Sequence, residues 1–90
     1  MASSYTKDPD ATLDWAFDWT SWLVDAETIV SHTILTDGTV TEDSSSDDGG
    51  VVTVWLSGGE VRDNAEVTCR IVTDQGRTDD RTITVRVRER

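Results

Sequence analysis

Leu13-Asp-Trp-Ala-Phe-Asp-Trp19 places four large apolar groups, Leu13, Trp15, Phe17 and Trp19, at alternate positions, with Asp14, Ala16 and Asp18 between them. A period of two marks a strand with one buried face, because successive side chains leave a pleated backbone in opposite directions. The alternation returns twice further along the chain. Ala65, Val67, Cys69 and Ile71 face one way while Glu66, Thr68 and Arg70 face the other, and Ile83, Val85 and Val87 alternate with Thr84, Arg86 and Arg88. No extended run has the 3.6-residue period of a helix, so the chain reads as all-β.

Between these runs the sequence is punctuated at the short intervals of a two-sheet protein. Thr20-Ser-Trp-Leu23 breaks the alternation and predicts a bend or a short helical turn over one end of the core. Thr28–Leu35 predicts a strand, Asp37-Gly38 a turn and Thr39–Thr41 a short strand. Glu42–Gly50 (EDSSSDDGG) is polar and acidic and predicts an exposed loop. Val51–Leu56 is almost continuously apolar, which predicts a central strand covered on both faces with Trp55 buried. Asp74-Gln75-Gly76-Arg77 predicts a hairpin. Residues 1–11 have no hydrophobic period and contain Pro9, which holds Asp8 extended, so they read as an extended N-terminal arm. The expected architecture is an immunoglobulin-like β-sandwich of six or seven strands over residues 12–90, without the Cys–Trp–Cys arrangement of true immunoglobulin domains.

Ninety residues suffice for one domain with a thin core, burying roughly 60–65% of the unfolded surface. A formal charge of −10 opposes binding to nucleic-acid phosphates. The charge is unevenly distributed. One basic residue, Lys7, stands against twelve acids before Arg62, whereas seven bases stand against six acids from Arg62 onward. The longest apolar runs are too short for a signal peptide or a membrane span. Cys69 is alone, so no intrachain disulfide can form, which suits synthesis in a reducing compartment.

No catalytic constellation is visible. His32 is the single histidine, placed mid-strand, and Cys69 alternates with core residues as a small hydrophobe. Neither has the partners of a nucleophilic triad. One His and one Cys cannot form a structural zinc site, and Asp43, Asp47 and Asp48 lack the spacing of a calcium loop. We therefore expect no enzyme activity, no metal and no cofactor. Of the four tryptophans, Trp22 lies off-pattern and is the one expected at the surface, too few for a sugar-stacking row.

The binding residues follow from the same reading. Arg86, Arg88 and Arg90 form an outward ladder on the last strand, and guanidinium groups are enriched at protein interfaces. They equally suit pairing with acids on a neighbouring strand. Arg77, Asp79, Asp80 and Arg81 cluster in the turn that precedes it, while Tyr5, Lys7 and Asp8 lie in the arm. With Trp22, these are the residues expected to meet a protein partner.

Six pieces, in order and spacing, carry a resemblance. They are Tyr5-Thr-Lys-Asp-Pro-Asp10; Leu13-Asp-Trp15; Asp18-Trp19 with Trp22-Leu23; Val54-Trp-Leu-Ser-Gly-Gly59; Val67-Thr-Cys-Arg-Ile71; and Gly76-Arg-Thr-Asp-Asp-Arg-Thr-Ile83 with Val85-Arg-Val-Arg-Glu-Arg90. The chain resembles small structural proteins of tailed-bacteriophage virions, encoded among head and tail genes and often labelled fibre–tail adaptors. The resemblance implies synthesis in the host cytoplasm, location in the virion and several copies per particle. It implies binding to other virion proteins (coat, neck, tail or fibre) as a head–tail or tail–fibre adaptor; the charge and the short apolar runs argue against nucleic acid and membrane as partners. Capsid decoration on the coat shell is the neighbouring alternative, and a host-surface carbohydrate-binding module is the alternative of another class.

Overall fold

The alternating runs at 65–71 and 83–87 become the two longest strands of the molecule, paired through the Asp74–Arg77 turn. The computed structural model describes residues 3–89. Its strands are β1 (Ser3–Lys7), β2 (Leu13–Asp18), β3 (Ile29–Asp37), β4 (Val40–Asp48), β5 (Val51–Gly58), β6 (Asn64–Thr73) and β7 (Thr78–Val87). They form a four-stranded sheet in the order β1-β7-β6-β3 and a three-stranded sheet in the order β2-β5-β4. Pairing is antiparallel throughout except between β1 and β7, which run parallel.

The inner faces of the two sheets meet in one core. Val52, Val54, Leu56 and Phe17 come from the three-stranded sheet, and Ala65, Val67, Cys69, Ile71, Ile83, Val85 and Val87 from the other. Phe17 and the β6 and β7 residues are the alternate positions read from the sequence. The β2 face is graded along its length: Trp19 and Phe17 are buried, Trp15 is half-buried and Leu13 is exposed. Beyond β2 the chain turns as expected, with the Trp22 and Leu23 amides both donating to the Trp19 carbonyl.

Three expectations are corrected. The acidic stretch after Thr41 is not a loop. It continues β4 as far as Asp48, in register with β5, and only Gly49-Gly50 turns the chain. An edge strand with exposed side chains tolerates Ser and Asp because the ladder, rather than side-chain packing, holds it. Second, β5 is covered on one face only. Val52, Val54 and Leu56 point into the core, whereas Trp55, between two of them, points out and is 43% exposed. Third, the segment read as an arm contributes β1, its residues in register from Ser3 opposite Ile83 to Lys7 opposite Val87. Met1 and Ala2 of that segment lie outside the described residues. The Asp37-Gly38 turn is present, but it passes the chain from one sheet to the other rather than closing a hairpin.

Candidate protein-interaction surfaces

The residues expected to meet a partner separate to opposite ends of β7. At its first end, Arg77 is committed to the molecule itself. Its guanidinium donates to both carboxylate oxygens of Glu27, Nη2 to Oε1 at 2.5 Å and Nε to Oε2 at 2.9 Å. It also lies 3.8 Å above the Trp22 ring and donates to the Trp22 carbonyl at 3.2 Å. Trp22, expected at the surface, is thus half-buried, its ring edge-on to Trp19 at 5.5 Å. Glu27 is buried, and Thr73 Oγ1 and the Val24 amide donate to it as well. The Arg77 bonds, with those from Thr73 and Val24, outweigh the cost of desolvation and hold the Glu27 carboxyl down at about 2.

Arg81 spans the same end, its guanidinium 4.2 Å over the Trp19 ring and its Nη1 donating to the Asp18 carbonyl of β2 at 2.6 Å. Asp80 accepts a two-pronged bond from Arg70 at 2.9 and 3.0 Å, which lowers its carboxyl. Asp79 Oδ1 accepts from the Asp80 amide. Arg77, Asp80 and Arg81 are thus bound to groups elsewhere in the molecule, at Glu27, Arg70 and Asp18.

At the other end Lys7, expected at a partner surface, is fully buried. Its ammonium donates to the Gly58 carbonyl at 2.6 Å and the Asp8 carbonyl at 2.9 Å, tying β1 to the end of β5. Desolvation lowers its basicity, with Asp8, Asp10 and Asp43 acting in the opposite direction. Asp8 Oδ1 accepts the Asp10 amide and so shapes the turn into β2. Arg88 donates to the carbonyls of Val87 and Asp63 and to Asn64 Oδ1. Of the arginine ladder only Arg86 is exposed without a hydrogen-bond or ion-pair partner among the described residues, and Arg90 lies outside them. Tyr5 is exposed on β1, its ring edge-on to Trp15 at 6.3 Å.

Sequence reasoning missed Glu27, which lies 50 residues from Arg77 in a polar stretch with no local signal. It also read His32 without its partners. Nδ1 lies 2.6 Å from Asp47 Oδ2 and Nε2 3.0 Å from Ser45 Oγ, so the histidine joins the edges of the two sheets.

The largest electrostatic feature is the contrast between the sheets. Strands β2, β4 and β5 carry six acids and no Lys or Arg. Strands β1, β3, β6 and β7 carry four acids and four Lys or Arg. The uneven charge seen along the sequence is thereby concentrated on one layer of the sandwich.

No curated protein matches the chain at a significant level. One family model does, described as podophage GP4 fiber-tail adaptor protein gp77, and the match runs over residues 7–86, from the last residue of β1 almost to the end of β7. It takes in every other strand of both sheets, and on that match the chain belongs to this family of phage fibre-tail adaptor proteins.

Proposed function

We propose that this chain is a structural component of a tailed-phage virion that joins tail and fibre assemblies by binding the proteins on either side. The observation that carries the reading is the family match over residues 7–86. The architecture supports it. A small sandwich whose arginines mostly brace its own ends is a rigid spacer, and rigid surfaces bind with little loss of conformational entropy. Its work is binding rather than chemistry. Several copies around a symmetric tail would gain avidity from contacts that are individually weak. Tyr5 and Arg86, both exposed, remain candidates for those contacts.

The decoration reading differs in stoichiometry, so the test is quantitative mass spectrometry of purified particles. A few copies to a few tens, relative to the major coat protein, is the expected result. Hundreds would place the chain on the shell instead, and its absence from particles would overturn the virion reading. The carbohydrate-module reading is weakened by the rings themselves. Trp19 is buried and Trp15 and Trp22 pack against the core, which leaves Trp55 without a neighbouring exposed indole.

A further inference from the structure

The outer face of the three-stranded sheet takes no part in the core, yet it carries the most exposed tryptophan of the molecule. Trp55 sits mid-strand on β5 with Asp14 of β2 opposite it on one side and Ser44 of β4 on the other. It has no ring stacking or cation contact with any described residue, whereas the indoles of Trp15, Trp19 and Trp22 all do. Asp18 and Asp48 flank Val51 on the same face, and Asp43, which accepts from Ser57 Oγ, stands at the bulge of β4. Folding accounts for only part of this. Asp18 holds the Thr20 turn and lies near Arg81, and Asp43 lies near Lys7. An exposed indole, however, adds little to the core, and Asp14 and Asp48 have no ion-pair partner among the described residues.

We propose that the outer face of β2-β5-β4 docks against a basic surface of another virion protein, with a Lys or Arg of that partner over the Trp55 ring and paired to Asp14. This rests on the adaptor reading above. Charge complementarity selects the occupant. A cation over an indole gains from the ring quadrupole, and a carboxylate beside the ring supplies the counter-charge. Aromatic residues at the centre of a patch with a polar rim are the usual anchors of protein interfaces. Nucleic acid is repelled by this face, and a second copy would bring another chain of charge −10 against it. The acids are spread along two strands rather than converging, and the described residues contain no acidic or His/Cys group able to hold a metal ion.

Hydroxyl-radical footprinting of the free chain and of intact particles tests the proposal. Leu35, on the opposite sheet and 44% exposed, serves as the internal reference for Trp55 at 43%. Oxidation of Trp55 is expected to fall by roughly fivefold or more in particles relative to Leu35, because interface anchors are shielded from water. Carbodiimide treatment of the particles is expected to join Asp14, Asp43 or Asp48 to a lysine of a different virion protein. Equal oxidation of Trp55 in both states, or protection of Trp55 by a soluble cell-wall oligosaccharide alone, overturns the docking face while leaving the adaptor reading intact. Absence of the chain from particles overturns the adaptor reading itself.

Discussion

Leu56 and Trp55 are neighbours in sequence and face opposite sides of β5, so a pair of substitutions there measures which side is the core. Leu56 is fully buried, one of the core residues between the sheets. Truncating it with Leu56→Ala removes the transfer free energy of three carbons and leaves a cavity, a loss of about 2–5 kcal/mol. The whole stability of a 90-residue domain is roughly 5–13 kcal/mol, so this is a large share of it. At about 4–8 °C per kcal/mol, a loss in the middle of the range lowers the melting temperature by roughly 14–28 °C. Trp55→Thr keeps a β-branched residue on an exposed strand face and is expected to cost about 1 kcal/mol. Urea titration followed by the fluorescence of the core indoles, with thermal circular dichroism beside it, reads both variants. If Trp55→Thr costs as much as Leu56→Ala, β5 is covered on both faces and the one-sided core is wrong.

Three further outcomes are expected. Because the Glu27 carboxyl is held near 2, against 4.5 when unperturbed, the unfolded chain binds the extra proton between those values. The stability that Glu27 contributes is therefore present above about pH 4.5 and is lost as the pH falls toward 2; Glu27→Gln should flatten acid unfolding monitored by circular dichroism across that window. Gly38 has φ +114, and a Cβ there would lie 2.7 Å from Asp63 Oδ2 and 3.0 Å from the Ala65 backbone, so Gly38→Ala should cost roughly 2 kcal/mol in denaturant titration. Gly76→Ala, also at positive φ but with open space around it, should cost measurably less. Burial pushes the Cys69 thiol up to about 11, so alkylation by iodoacetamide at pH 8 should proceed only as fast as the domain opens, which denaturant-dependent labelling rates would show.

The strands that were legible in the sequence are those whose inner and outer faces differ in polarity. For β6 and β7 the alternation of Val, Cys and Ile with Thr and Arg named the core positions one by one, and all of Ala65, Val67, Cys69, Ile71, Ile83, Val85 and Val87 are buried. β4 was hidden because its residues past Thr41 are Glu, Ser and Asp, whose strand conformation comes from pairing with β5 rather than from their own preference. Trp55 was misplaced for the opposite reason: an apolar residue on each face erases the period. Lys7 was unreadable because a lysine is buried only when carbonyls converge on it, and those come partly from Gly58, 51 residues away. Arg77, Arg81 and Arg88 were singled out as contacts for a partner, and each is bonded within the molecule. Which of them brace the fold and which face outward depended on distant partners such as Glu27, Asp18 and Asn64.

The parallel pairing of β1 with β7 also decides how the molecule carries a load. Ser3 and Val87 lie at opposite ends of that two-stranded ribbon. A force drawing those two points apart slides the strands lengthwise past each other, so the ladder bonds between them are strained together rather than peeled open one after another. The Lys7 ammonium, clasping the end of the central strand of the other sheet through the Gly58 carbonyl, acts as a peg against that sliding. Resistance to extension is governed by the rate of unfolding rather than by equilibrium stability. Extension between these two points is therefore expected to meet more resistance than peeling β1 from one end, which pulling the domain along the two directions would compare.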